Sequence, residues 1–253
     1  MDRQGVTIAS DRYRLVTRGA EPAQLEAIIA ELQSVTRGTY GQFCGLSRAL
    51  EMVGERWGLL IVRDLLVGPR SVAELHSGLP KIPVEVLRTR LTELTHSGIV
   101  RRSADTERYE LTEYGHALED VVLALGRWGA ATLDEPRPED IVTADSLTLA
   151  LRATFQADAA RLAHTAFTFE LRVGAVVLHV RIDDGVLEVA RSPIAGASAG
   201  GVLDVGGALK GLLTGEISVA EALSSGRATG DPGLLATFTE LFQLPRTAAA
   251  SVG

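Results

Sequence analysis

The apolar residues of this chain change their spacing partway along, and that change restricts the fold more than any other feature. In VEVLRTRLTELTH, residues 84–96, Val84, Leu87, Leu91 and Leu94 recur three, four and three apart, which lines one stripe of a helix. In FTFELRV, residues 167–173, Phe167, Phe169, Leu171 and Val173 alternate with Thr168, Glu170 and Arg172, the period of a half-buried strand. Between them stands LDEPRPEDI, residues 133–141, with two prolines and four acids in nine residues, which marks a boundary. A mainly helical module therefore precedes one that mixes strands and helices, and 253 residues suffice for both.

Charge is spread unevenly over these parts. Residues 1–40 carry five basic and five acidic side chains, residues 41–130 eleven and twelve, and residues 131–253 nine and fifteen. The net charge of −7 argues against a generic polyanion binder, yet a partner that touches one face responds to local charge. Within 81–102, five basic residues stand against two acids. No apolar run approaches the ~18 to 20 residues that span a bilayer, and the N-terminus lacks a signal-peptide core. The expected place is the cytoplasm, with no membrane partner. A single cysteine, Cys44, allows no internal disulfide framework and no Cys-rich zinc site.

The helical module has a definite element order. Residues 1–20 show no clear period and read as disordered or as a short strand pair. Leu25, Ile28, Ile29, Leu32 and Val35 then line a helix over 22–35. Further helices are expected over 45–54 and 57–67. Ser71 with Glu74 three residues later makes a capping-box pattern that opens a short helix. The 84–96 helix follows and stops at Gly98. IVRRSA and RYELT read as two strands joined by Asp105-Thr106-Glu107, and one more helix is expected from Tyr114 to Gly129. Helix, capped turn, helix and basic two-stranded ribbon is the order of a winged helix-turn-helix. The assigned extents are 1–40 for an N-terminal extension, 41–132 for this module, 133–144 for the linker and 145–245 for the second module.

Such a module suits double-stranded DNA. With residues at 100° steps, Leu87, Leu91 and Leu94 fall together, Glu85, Thr89, Thr92 and His96 fall opposite, and Arg88 lies beside them. Glu85, Arg88 and Thr89 occupy the half of the helix that meets base edges in the major groove. Ser71, Lys81 and Arg90, at the edge of the stripe, join them as candidate contacts. Arg101, Arg102 and Arg108 lie on the ribbon, where they would neutralise phosphates. A solvated helix face, or an internal ion pair for Arg90, explains the same residues without DNA.

CGLSRALEMVGERWGLLIVRDLLVGPRSVAELHSGLPKIPVEVLRTRLTELTHSGIVRR, followed by YELTEYGHALEDVVLALGRWG, resembles the HxlR family of bacterial transcriptional regulators. The early Cys44, G-x-R-W at 54–57, the L-L-I-V-R-D-L-L-x-G-P-R run, R-L-x-E-L at 90–94 and Y-x-L-T at 109–112 carry the likeness over about 85 residues. The resemblance implies a homodimer on a pseudo-palindromic operator, with 22–35 and 114–129 forming the dimer contact. Pro83 and Glu85 depart from the Ser cap and Lys of many relatives, and the wing turn is shorter, which bears on the operator sequence. Some relatives use a cysteine at the position of Cys44 to sense electrophiles or oxidants. The residue alone reads as a half-buried packing cysteine.

In the second module FTFELRV, VVLHVRI and VLEVA are strands, the last two joined by the hairpin turn Asp183-Asp184-Gly185. VLDV and RATG are further strands, and 145–156, GALKGLLTG, SVAEALSSG and PGLLATFTELF are helices. An antiparallel sheet with helices on one side follows, so the fold class is α+β throughout. The segment from about 145 to 243 resembles a sterol carrier protein domain, through V-x-I-D-D-G-x-L-E-V and L-L-T-G-E-I-S-V-A-E-A-L-S-S-G-R before G-D-P. That resemblance implies a site for an apolar small-molecule effector, lined by Phe155, Phe167, Phe169, Leu209, Leu212, Leu213, Phe238 and Leu241. The same spacing equally describes a plain core. The five histidines have no metal-ligand spacing, no G-x-S-x-G elbow occurs, and GALKGLLTG lacks the end of a phosphate loop. No catalytic residue, metal or cofactor is expected. The competing reading is a lipid-binding or scaffold protein whose winged helix binds protein.

Overall fold

The computed structural model of the protein describes residues 6–10, 13–17, 39–130, 132–133, 140–162, 166–195 and 200–244. The helix expected over 22–35 and most of the 133–141 boundary lie outside them. The chain divides into two compact units, residues 1–55 and 56–253.

In the first unit, strands β1 (Val6–Ser10) and β2 (Tyr13–Thr17) pair antiparallel, with Val6 opposite Thr17 and Ser10 opposite Tyr13. Helix α1 (Gly45–Val53) follows Cys44. The Glu51 carboxylate accepts from the Thr39 hydroxyl at 3.1 Å, the Tyr40 N–H at 3.0 Å and Arg48 at 3.1 Å, fastening the preceding segment to its own helix.

Near the start of the second unit Trp57 is a non-glycine residue at φ 82°, with the Arg56 guanidinium 5.0 Å from its ring centre. Helix α2 (Gly58–Val67) buries Ile61, Val62, Leu65 and Leu66. The capping box is formed. Ser71 Oγ accepts from Glu74 N–H, and the Glu74 carboxylate accepts from Ser71 N–H, opening α3 (Val72–Gly78). Helix α4 (Val84–His96) buries Leu87, Leu91 and Leu94 of its stripe, while Val84, in the first turn, is exposed. Strands β3 (Val100–Arg102) and β4 (Tyr109–Leu111) form the wing, Arg101 opposite Glu110. Arg70 makes an isolated antiparallel bridge to β4 by exchanging two backbone bonds with Tyr109, 2.9 and 2.7 Å long.

The single helix expected from Tyr114 to Gly129 is two, α5 (Glu113–His116) and α6 (Glu119–Ala130). Gly115 is pressed against the wing, where a β-carbon would stand 2.1 Å from the Ile99 carbonyl oxygen. The pinned turn tightens behind it, and Leu118 N–H bonds the Gly115 carbonyl, three residues back, before α6 begins.

Helix α7 (Ala144–Thr154) is covered on almost every side and packs against α2, α6 and the sheet of the second module. Leu147 and Leu151 enter that module's core. On the other side Arg152 donates to the Leu66 carbonyl at 3.2 Å and to Glu119 at 3.3 Å, and Arg127 to the Ala153 carbonyl at 3.1 Å. A short helix absent from the expected elements, α8 (Ala157–Leu162), comes next.

Strands β5 (Ala166–Val173), β6 (Val176–Asp183), β7 (Val186–Ala190) and β8 (Val202–Asp204) form one sheet in the order β7-β6-β5-β8. It is mixed, which corrects the antiparallel expectation. β8 crosses to the free edge of β5 and runs parallel to it, Leu171 beside Leu203. Asp184 and Gly185 turn at φ 45° and 79°, the two positive values a tight hairpin requires. RATG is no strand either. Gly226 and Gly230 bend the chain at φ 70° and 136°, leaving one bridge between Thr229 and Asp204. Helices α9 (Leu209–Thr214), α10 (Val219–Ser224) and α11 (Pro232–Leu241) complete the module. One sheet face is buried with Phe169, Leu171, Leu178 and Val180, while the other carries Glu170, Arg172, His179 and Arg181.

Candidate nucleic-acid interface

Helix α4 presents one polar face. Glu85, Arg88, Thr89, Thr92 and His96 are exposed, while Leu87 and Leu91 behind them are fully buried. The Thr89 and Thr92 hydroxyls donate to carbonyls one turn back, at 2.9 and 3.0 Å, so their methyls and lone pairs face outward. The Arg88 guanidinium makes no hydrogen bond or ion pair among the described residues, leaving its five donors for a partner. Arg90 is pulled aside at the stripe edge, 2.5 Å from Glu93 and one-fifth exposed.

The wing arginines are held by carboxylates. Arg101 reaches Glu110 at 2.7 Å and Arg102 reaches Glu107 at 2.6 Å, both arginines more than half exposed. Arg108 is fixed more firmly. It donates to both oxygens of Glu74 at 2.6 Å and to the Pro69 carbonyl at 3.1 and 3.3 Å, which anchors the turn end of the wing to α3. The Ser71 N–H and then Arg108 hold the Glu74 carboxyl at about 2. Ser71 has its hydroxyl in the cap. Lys81 lies off the α4 face, in a cleft of about 180 Å³ with Trp57, Arg63 and Ile141.

Behind the wing lies a charge cluster that local pattern did not mark. Arg70 Nε and Nη2 stand 3.1 and 2.8 Å from the two Asp145 oxygens, and Arg191 also donates to Asp145. Burial would raise Asp145, but Arg70 and Arg191 outweigh it and hold the carboxyl low. Asp64 is paired with Arg63 at 2.7 Å, and its Oδ2 is buried without a hydrogen bond. Burial outweighs Arg63 there and raises the carboxyl.

The eight expected effector residues are brought together, as packed core. Phe169, Leu212, Leu213, Phe238 and Leu241 are buried, and Phe155, Phe167 and Leu209 pack against them half-buried. Rings meet at 5.5 Å (Phe167–Phe169), 5.9 Å (Phe169–Phe238) and 5.4 Å (Phe155–Phe242). A cleft of about 380 Å³ has Leu212 and Leu213 in its wall, with Ile217, Val219 and Leu244, and none of the other six. Cys44 is exposed, not half-buried. It stands at the α1 N-cap, where the Ser47 and Leu46 N–H groups lower its thiol. Among the described residues there is no metal-binding cluster of His, Cys, Asp and Glu, and no helix is long and apolar enough to cross a membrane.

Comparison with known proteins places this geometry. The model of the HxlR-like helix-turn-helix family matches residues 52–137. An uncharacterized HTH-type transcriptional regulator of Bacillus subtilis, YvaP, is 33% identical over 92 residues, covering 34% of this chain and 85% of that protein. The chain belongs to the HxlR-like family. HTH-type transcriptional regulators of Mycobacterium bovis and Mycobacterium tuberculosis are 43% identical over 99 residues, 37% of this chain, which spans 61% of their length. A crystal structure of quinone-bound YodB from B. subtilis is 34% identical, with TM-score 0.32, covering 34% of this chain and 97% of that one. The HxlR-like match takes in α2 to α6 and ends before α7.

Proposed function

We propose that this HxlR-like protein is a homodimeric bacterial transcriptional regulator that reads a pseudo-palindromic operator in double-stranded DNA. The outward face of α4 carries this reading, because Glu85, Arg88, Thr89 and Thr92 stand exposed on a helix pinned by three buried leucines. Arg88 suits a bidentate contact to guanine, and Glu85 suits a cytosine amino group. Arg101 and Arg102 exchange their glutamates for phosphates at the wing. Dimerisation is supported by α6, which buries none of its side chains and exposes Val121, Leu125 and Trp128.

The second module takes an apolar small-molecule effector and biases the dimer between two arrangements. The sterol-carrier resemblance of its sequence and its phenylalanine-rich core support this. The protein acts in the cytoplasm by binding, without catalysis. A gel shift on the DNA upstream of its own gene, at two salt concentrations, tests the DNA reading. Specific retention that weakens steeply with salt is expected. Absence of retention at both concentrations favours the protein-binding scaffold instead. Native mass spectrometry of the purified protein tests the effector.

A further inference from the structure

Arg70 belongs to two structures at once. Its backbone forms a one-residue antiparallel bridge to the wing, bonded twice to Tyr109. Its guanidinium points into the second module and grips both oxygens of Asp145. The two side chains are only 14% and 8% exposed. Asp145 stands in the first turn of α7, and Arg191, just past the end of β7, holds it from the sheet side. One carboxylate therefore links the wing, the central helix and the sheet. An exposed ion pair contributes little, but removing one partner of a buried fork leaves the other charge uncompensated. Arg70 without Asp145 has reason to turn toward water, and its backbone bridge is what Tyr109 leans on. The neighbouring Pro69 carbonyl takes Arg108, so two of the wing's attachments fall on adjacent residues.

We propose that Asp145, a residue of the second module, is a positioning residue for DNA reading, setting the wing through Arg70. The inference rests on the DNA function assigned to α4 and the wing, while its first test does not. That test is hydrogen exchange of the Arg70 and Tyr109 amides in the full chain, wild type against Asp145→Asn. Both amides should exchange at least about tenfold faster in the variant, with those of Leu171 and Leu178 in the β5–β6 ladder unchanged. Equal rates at Arg70 and Tyr109 overturn the proposal. Should Asp145→Asn fail to fold, Arg70→Lys keeps the charge, loses the fork and is read in the same way.

The second test uses a duplex that the wild type selects from a random library. Each variant should bind it about tenfold more weakly with an unchanged salt slope, since no phosphate contact is lost. The double variant should be no weaker than the worse single one. Losses that add, or a shallower slope, overturn the route through Arg70. If the wild type selects no duplex, the DNA function fails, and the exchange result still decides the positioning.

Discussion

Arg108 Nη2 lies 2.6 Å from both carboxylate oxygens of Glu74, so the turn end of the wing is tied to the first turn of α3. The same carboxylate caps that helix through the Ser71 N–H at 2.7 Å. Its folded pKa of about 2 lies below the ordinary 4.5. The stabilisation is therefore complete above about pH 4.5 and fades as acid carries the pH down toward 2. Glu74→Gln should flatten this acid limb in urea titrations across pH. Because the pair is partly exposed and screened, the loss at neutral pH should stay below about 1 kcal/mol.

Gly115→Ala should cost about 2 kcal/mol or more, read by urea denaturation. The added methyl would overlap the Ile99 carbonyl, which already accepts from Thr112 N–H at 3.0 Å and cannot yield without breaking the wing's attachment.

Arg88→Ala should relax base preference at one operator position, at a cost of about 1–3 kcal/mol, in competition assays over sequence variants. Arg101→Ala and Arg102→Ala should weaken all duplexes alike and reduce the salt slope by about one each. An equal loss on every sequence from the Arg88 change would remove its assignment to base reading.

Trp128 is 76% exposed on α6, with Val121 and Leu125 about half exposed on the same helix. Sedimentation should give twice the 26.9 kDa chain mass for the wild type. Leu125→Glu should shift it toward the single-chain mass, because a buried charge without a partner opposes the contact.

Legibility followed the range of each interaction. The capping box of Ser71 and Glu74, the Leu87, Leu91 and Leu94 stripe of α4 and the Asp184-Gly185 turn are set by residues a few positions apart, and each forms as the spacing indicates, although Val84 at the open end of α4 stays exposed. α8 buries only Ala160 of its six residues, so no stripe announces it. The parallel entry of β8 depends on where the chain crosses, which no local period encodes. Arg70 and Asp145 are 75 positions apart, and either alone is an ordinary surface charge. Arg108 reads as a free cation until Glu74 and Pro69 are folded against it. The capping pattern found Glu74 but not its second task.

Helix α7 fills the core of one module while covering α2 and α6 of the other. Heating should then give one calorimetric peak, with the van't Hoff and measured enthalpies equal, instead of two. A protease nicking the acidic stretch near residue 137 would not release a self-standing fragment. The N-terminal piece would lose the helix that shields its inner surface from water.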